Sequence, residues 1–482
     1  MRSKYLAAGL ALTAFFLNIP ALAQTVPETA APAVQTVLLA EYAPEGDGTA
    51  ENPYLADSAE TLAYISERIN AGDSDFAGAF YRQTAPIVLT SHIPIGTADT
   101  PFSGTYDGDG YPVTFEHVPT YTDVSYLGLF GYAQQANFLN VVVTGELSAD
   151  TQNGQTLYAG LLCGFYKGTK RVEREIRGCE AIGNVTAYTN GAAVYAGSLI
   201  GCMRLDSGKT AFTDCYAEVQ IVASSVSTAF VGGLCGFTRA VTGGLISYSH
   251  CAFNGSVENM GNSKIVYAGG ITGYFKQDET AWLVSSGSDK AVLSEEQPQS
   301  IVYSAVKARM NVSGSSETHA GSLSGFEDGT AAAGNYVCIP GLTPSSNTLN
   351  GESVTEDTLF DRDFLTETMG FDLNGTWLAL ADKSGMRLVS KYAELIRTPL
   401  ATDRKNILRF QPVNLEKGLF TAAFYDDSGR ICAARSLSFD GKDETFHTTL
   451  PEGTNTFRVF LFSDNVSLIP LLRKPLSLTT DI

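Results

Sequence analysis

The 482-residue chain is long enough for two or three domains, and at 44% hydrophobic and 17% charged it has ample core material. Its formal net charge of −19 argues against a nucleic-acid backbone or an anionic membrane as the main partner. Acidity of this kind instead keeps an extracellular protein soluble.

The first element is an address. Arg2 and Lys4 give a positive start, residues 6–19 an apolar run, and Ala21-Leu22-Ala23 the small residues of a cleavage site. This pattern predicts a secretory signal over 1–23, cut between Ala23 and Gln24, with no membrane insertion afterwards and a secreted or cell-surface location. Residues 24–47 read as an Ala/Pro/Thr-rich linker. A helix is expected over 58–71: Asp57 and Glu60 have capping-box spacing, Leu62, Ile65 and Ile69 share one face, and Gly72 stands at the stop. Strand-like runs follow at 86–89 and 113–115. Between them Asp107 and Asp109 lie in an Asp-Gly-Asp-Gly stretch, which reads as a tight turn before it reads as a cation site.

From residue 126 the chain repeats itself. YLGLFGY is followed by YAGLLCGFY, YAGSLIGCM, FVGGLCGFT, YAGGITGYF and HAGSLSGFE. The closing glycines Gly131, Gly164, Gly201, Gly236, Gly273 and Gly325 are separated by 33, 37, 35, 37 and 52 residues. A period of this size marks a repeat architecture. The copies are rich in Gly and β-branched residues and lack a 3.6-residue period, so helical repeats are set aside. A propeller blade needs about 40–45 residues and four strands, more than these units offer. Units that cannot bury an apolar face alone, stacked as parallel rungs, make a β-helix.

Three consequences can be tested. Leu162, Leu199, Leu234, Ile271 and Leu323 should form one internal column. Strict alternation through YAGGITGYF would put Tyr267 and Tyr274 on opposite faces, with the glycines at corners. Cys179, Cys215 and Cys251 should stack on successive rungs as buried free thiols, whereas Cys163 and Cys235 should be two rungs apart. The insertion at 276–300 interrupts the last period. Insertions in repeat proteins emerge on one face, so Trp282 within it is a candidate ligand-contact residue.

Another capped helical stretch, 354–369, carries Leu359, Phe364 and Met369, with Gly370 and Trp377 beyond it, and should form a terminal cap. Residues 379–399 read as a linker. From 400 to 482 the pattern alternates in the strand manner, which predicts a small antiparallel β-sandwich, with Asp426 and Asp427 in a turn.

Gly128-Leu129-Phe130-Gly131 and Gly233-Leu234-Cys235-Gly236 resemble the GLUG motif, a Gly-Leu-x-Gly repeat of bacterial secreted and surface proteins, and Gly270-Ile271-Thr272-Gly273 is a close variant. Leu161, Ser198 and Ser322 depart at the first glycine, which a corner position would tolerate. The segments 48–72 and 94–117 also resemble the start of these proteins, and the likeness covers about 48–378. It implies a right-handed β-helix of an adhesin-like kind, with the C-terminal module similar to small modules of bacterial surface proteins. A structural motif carries a fold more securely than a function.

Little chemistry stands out. The sequence has no HExxH, nucleophile elbow or Walker loop, no CxxC pair, and its five His are scattered, so neither a catalytic centre nor a metal nor a cofactor is expected. The eight Cys do not read as a disulfide framework in domains of this size. The sequence therefore points to an all-β, non-catalytic binding or spacer protein, with a glycan or a host or bacterial surface protein as partner. Two alternatives stand beside it: a polysaccharide-active β-helix enzyme with paired carboxylates, and a purely structural stalk.

Overall fold

Each repeat folds into one coil of four short strands. Leu157–Ala159, Cys163–Gly168, Glu173–Arg177 and Glu180–Thr189 make one coil. Ala193–Gly197, Ile200–Leu205, Gly208–Thr213 and Tyr216–Ser224 make the next. Every strand pairs in parallel with its equivalent one coil on. The result is a parallel β-helix with four faces, numbered here in the order the chain visits them. The first and second faces are six-stranded sheets, the third and fourth nine-stranded. The two longer sheets begin before the repeats: Ile87–Leu89 and Pro112–Phe115, both expected as strands, are the first rungs of the fourth face.

The computed structural model describes residues 42–241, 244–277, 299–328, 331–373, 376–379 and 385–388. In the C-terminal part it describes 396–402, 407–412, 417–426, 428–440, 446–449, 456–462 and 476–479. The chain divides into two units, Met1–Tyr42 and Ala43–Ile482, and all described residues but Tyr42 belong to the second. The signal expected over 1–23 lies outside the described residues.

The recurring phrase is a corner. In YAGGITGYF, Ile265–Gly269 ends the strand of the first face and Thr272–Gln277 opens that of the second, with Gly270-Ile271 turning between them. Alternation restarts at the corner, so Tyr267 and Tyr274 both point outward and their rings meet edge to face at 5.4 Å. The expectation that they lie on opposite faces is corrected for that reason. The aliphatic column is as expected: Leu162, Leu199, Leu234, Ile271 and Leu323 are fully buried. Their backbones are laced together, Leu162 N–H donating to Leu199 O at 3.1 Å, Leu199 to Leu234 at 3.0 Å, Leu234 to Ile271 at 2.9 Å and Ile271 to Leu323 at 3.0 Å. Each such side chain contributes about 2–3 kcal/mol through burial.

Two glycines four residues apart bracket each full corner: Gly160 and Gly164, Gly197 and Gly201, Gly232 and Gly236, Gly269 and Gly273, Gly321 and Gly325. A Cβ on Gly236 would lie 2.5 Å from Ala196 N and 2.6 Å from Gly201 O, and one on Gly232 2.0 Å from Cys235 O. These glycines are required because successive coils press backbone against backbone there. The position after the first of them is held by Leu161, Ser198, Gly233, Gly270 and Ser322, so it takes a side chain on three coils, although a Cβ on Gly233 would lie 2.0 Å from Gly270 O. Gly128 belongs with Gly160 in the bracketing column, since Leu127 pairs with Ala159. The Gly-Leu-x-Gly of the first copy is thus out of register with that of the fourth, and the first corner is one residue shorter.

The thiols stack as expected. Cys179, Cys215 and Cys251 are free and buried. Each donates to a carbonyl in the coil before it: Cys179 to Phe138 O at 3.4 Å, Cys215 to Ile176 O at 3.2 Å and Cys251 to Phe212 O at 3.8 Å. Burial pushes the Cys215 thiol far above its ordinary value. Cys163 and Cys235 are separated by Ile200, which pairs with both.

The N-terminal end is closed by the helix Ala59–Asn70, whose Leu62, Ile65 and Ile69 join the core. Its cap is Ser58, accepting from Thr61 N at 3.2 Å, and not Asp57, which accepts from the Thr61 hydroxyl at 2.8 Å. A hydroxyl beside the first turn reaches the free amide that Asp57, one residue earlier, leaves to it. Gly72 ends the helix at φ +91°. Nearby, His92 keeps some exposure, yet its ring lies against Phe115 and its Nε2 is 2.9 Å from Leu129 O. Burial lowers its pKa to about 4.

At the other end Leu349 closes the corner ladder, accepting from Leu323 N at 3.0 Å and Ser324 N at 3.1 Å. The helical stretch expected as a terminal cap lies elsewhere. It forms Glu356–Leu359 and a π-turn, Phe364–Thr368, and packs on the flank of the stack. There Leu359, Leu365, Met369, Phe371 and Trp377 form a second core with Tyr216, Ala252 and Ala305, from three successive coils. Trp377 Nε1 donates to Asp214 Oδ1 at 3.0 Å. The reason is chemical: those three positions open strands of the fourth face with apolar side chains outward, and they need a cover. The hairpin Trp377–Ala379 with Met386–Leu388 continues this cover into the stretch read as linker.

The C-terminal part holds two antiparallel sheets, as a small sandwich requires. One contains Ile396–Thr402, Ile407–Pro412 and Phe446–Thr449, so its first strand starts slightly before residue 400. The other contains Ile431–Asp440, Lys417–Tyr425, Thr456–Phe462 and Leu476–Thr479. Asp426 is a turn residue whose Oδ1 accepts from Ser428 N and Arg430 N, both at 2.9 Å. Asp427 lies outside the described residues.

Three outcomes follow. Gly236→Ala should lower stability by about 3 kcal/mol or prevent folding, whereas Gly154→Ala, in open space at φ +75°, should cost about 1 kcal/mol; thermal unfolding of both checks this. A thiol reagent on the native protein should label exposed Cys432 first and half-buried Cys338 more slowly, with the six buried thiols reacting only after denaturation. His92 has a folded pKa below its unfolded one, so the unfolded chain binds the extra proton. Stability should fall by about 1–2 kcal/mol, allowing for partial exposure, as pH drops from 6.5 towards 4, and His92→Gln should remove that dependence.

Candidate binding surface

Outward side chains on a β-helix repeat at every rung, so any surface feature is drawn out along the stack. Two such features stand out among the described residues.

The first is a groove on the fourth face, of about 770 Å³. The strands of this face bend at Gly145 and Gly183, which pair with each other at positive φ; Val219 pairs with Gly183, and Gly255 with Ala308, further along the stack. Gly183 makes the bend possible: its φ is +136°, and a Cβ there would sit 1.9 Å from Gly145 O. Outward residues flank the bend on each rung, Ile182 and Asn184, Glu218 and Gln220, Asn254 and Ser256, Lys307 and Arg309, and all of them line the groove with Glu258. Asn184 Nδ2 donates to Glu146 Oε1 at 2.7 Å, and Tyr216 OH to Glu218 Oε2 at 3.1 Å. One end is closed by Cys338, Pro340 and Glu356, where Lys307 Nζ pairs with Glu356 Oε1 at 2.5 Å. Amides, carboxylates and two cations thus alternate along a concave strip several coils long. Such a strip can exchange hydrogen bonds with a polyhydroxylated or peptide chain laid along it.

The second feature is a double aromatic column outside the corner between first and second faces. Tyr126, Tyr158, Tyr195, Phe230, Tyr267 and His319 stack with ring centroids 4.7–5.3 Å apart and planes within 12° of parallel. Beside them Tyr132 stacks on Phe165 at 4.9 Å, Phe237 on Tyr274 at 4.8 Å and Tyr274 on Phe326 at 4.4 Å. The columns meet edge to face, as between Tyr158 and Phe165 at 5.0 Å. Each pair adds about 0.5–1.5 kcal/mol beyond burial. The stack spends most ring faces on neighbouring rings and turns edges to solvent, so its first role is to bind coil to coil.

The residues singled out from sequence fare differently. Trp282 lies outside the described residues. The ends of the insertion around it are placed: the chain leaves the second face at Gln277, just past Lys276, and re-enters on the third face at Gln299. Asp107 is a turn residue, its Oδ1 accepting from Asp109 N at 2.9 Å and from Asn140 Nδ2 at 3.1 Å. Among the described residues no three His, Cys, Asp or Glu side chains come together as a metal site. The groove is not among the features that sequence reasoning finds. Its signal is nonetheless present in Gly145, Gly183 and Gly255, each placed a few residues into a strand-like run.

No known protein-family profile matches the chain. A stretch of 128 residues, 25% of the chain, is 30% identical to a protein of Evansella cellulosilytica provisionally named a Gly-rich membrane protein. The match spans 14% of that protein's length. No helix among the described residues is long and apolar enough to cross a membrane.

Proposed function

We propose that this is a secreted or surface-held, adhesin-like binding protein of the GLUG-repeat kind, which presents the fourth-face groove to a glycan or an extended surface protein. The observation that carries the reading is the groove itself: outward Asn184, Glu218, Gln220, Asn254, Lys307 and Arg309 come from successive coils of one stack. Their spacing is fixed by the backbone ladder and not by loops, so a ligand meets a preformed surface and little ordering entropy is lost on binding. The acidic chain, the signal-like start and the likeness to a protein named for Gly-richness and membranes favour display outside the cell.

A glycan array read beside a turnover screen on acidic polysaccharides tests this. Binding without turnover supports the proposal. Turnover would replace it with a polysaccharide-active enzyme, and silence in both would leave a structural stalk. With a ligand in hand, the pair Asn184→Ala and Gln220→Ala should weaken affinity by about 5–30-fold at unchanged melting temperature, measured by calorimetry.

A further inference from the structure

The second aromatic column is interrupted once. On successive coils its positions are Tyr132, Phe165, Cys202, Phe237 and Tyr274, as the strand register shows. At every rung but one a ring fills the position. Phe165 and Phe237 each stand one rung from Cys202, so their backbones are about 9.6 Å apart, twice the strand spacing. That separation is one ring's worth: intact stacks in this column place centroids 4.4–4.9 Å apart. The floor of the slot is Cys202, only 3% exposed, while Phe165 and Phe237 remain half-exposed. At the side, Tyr195 has lost its same-coil partner and meets Phe237 of the next coil edge to face at 5.4 Å. Within the column this is the one place where two successive ring positions have no ring between them.

Two residues further along each strand runs a line of cations. Lys167, Arg204, Arg239 and Lys276 pair in register on four successive coils. Asp206 answers two of them, at 3.8 Å from Lys167 and 3.4 Å from Arg204, and Asp328 lies 2.5 Å from Lys276. Arg239 Nε is buried with no hydrogen-bond partner. Four cations against two carboxylates leave a positive strip on a chain whose net charge is −19.

We propose that the slot receives one pyranose ring of an anionic polysaccharide, sandwiched between Phe165 and Phe237, with carboxylates of that residue and its neighbours on Arg204, Arg239 and the adjoining lysines. A pyranose is apolar on its two faces and polar round its rim, so it suits two aromatic faces with cations at the edge. A carboxylate can take paired hydrogen bonds from a guanidinium such as that of exposed Arg204. The inference goes beyond the groove reading and does not depend on it, since the two surfaces lie on different faces of the stack.

The test uses the whole protein, polygalacturonate as probe and neutral dextran as control. Calorimetry should show binding to polygalacturonate and not to dextran, weakened at least about tenfold between 50 and 500 mM salt because the contact is charge-assisted. Cys202→Phe completes the column. It should keep or raise the melting temperature and weaken polygalacturonate binding at least about tenfold. Arg204→Gln with Arg239→Gln should weaken it about 3–10-fold and flatten the salt dependence. If Cys202→Phe does not fold, this arginine pair, outside the packed column, decides the matter. The proposal falls if the wild type ignores polygalacturonate or binds dextran equally, or if the slot variants bind as the wild type does. It falls too if only the Asn184→Ala, Gln220→Ala groove variant loses binding, an outcome that would leave the groove reading standing.

Discussion

The structure depends on the backbone ladder that joins one coil to the next at the Gly-x-x-x-Gly corner. There the amide of each corner aliphatic donates to the carbonyl of its counterpart one coil on, from Leu162 through Leu199, Leu234 and Ile271 to Leu323. A ladder this close leaves no room for a Cβ on Gly236 or its equivalents, and once formed it fixes every other position of the coil to its neighbour. The buried aliphatic column, the thiol column and the outer aromatic columns are consequences of that register. Each stacks like on like because equivalent residues are held about 4.8 Å apart.

This arrangement confines variation to the outside. Inside, Cys179, Cys215 and Cys251 are interchangeable small apolar fillers, each with its thiol turned to a carbonyl of the coil before. Outside, a departure on one rung leaves a local mark. Gly183 bends the fourth face into a groove, Cys202 in place of an aromatic opens a slot, and Tyr216, Ala252 and Ala305 make a patch that the segment around Trp377 covers. A function carried by such a protein resides in these departures from the repeat and not in the repeat itself.

Much of the fold is legible in the amino-acid pattern alone. The six phrases, their spacing and the positions of Leu162, Leu199, Leu234, Ile271 and Leu323 predict the coil and its core column, because a stacked architecture turns sequence period directly into contact. The capping helix is legible from Leu62, Ile65, Ile69 and Gly72, although its cap falls on Ser58. The departures from expectation have a common origin. Alternation carried straight through a corner puts Tyr267 and Tyr274 on opposite faces, whereas the corner resets it. The pattern over 354–369 suits a terminal cap because a sequence shows neighbours along the chain and not those in space.

The amino-acid sequence by itself determined the coil: its length, its inner columns, its glycine brackets and the free thiols, all of which follow from local pattern repeated. Tertiary structure alone decided the outer surface. The groove, the slot and the flank docked around Trp377 each combine residues from three or more coils, more than thirty positions apart in the chain. Their side-by-side placement exists only once the ladder has set the register.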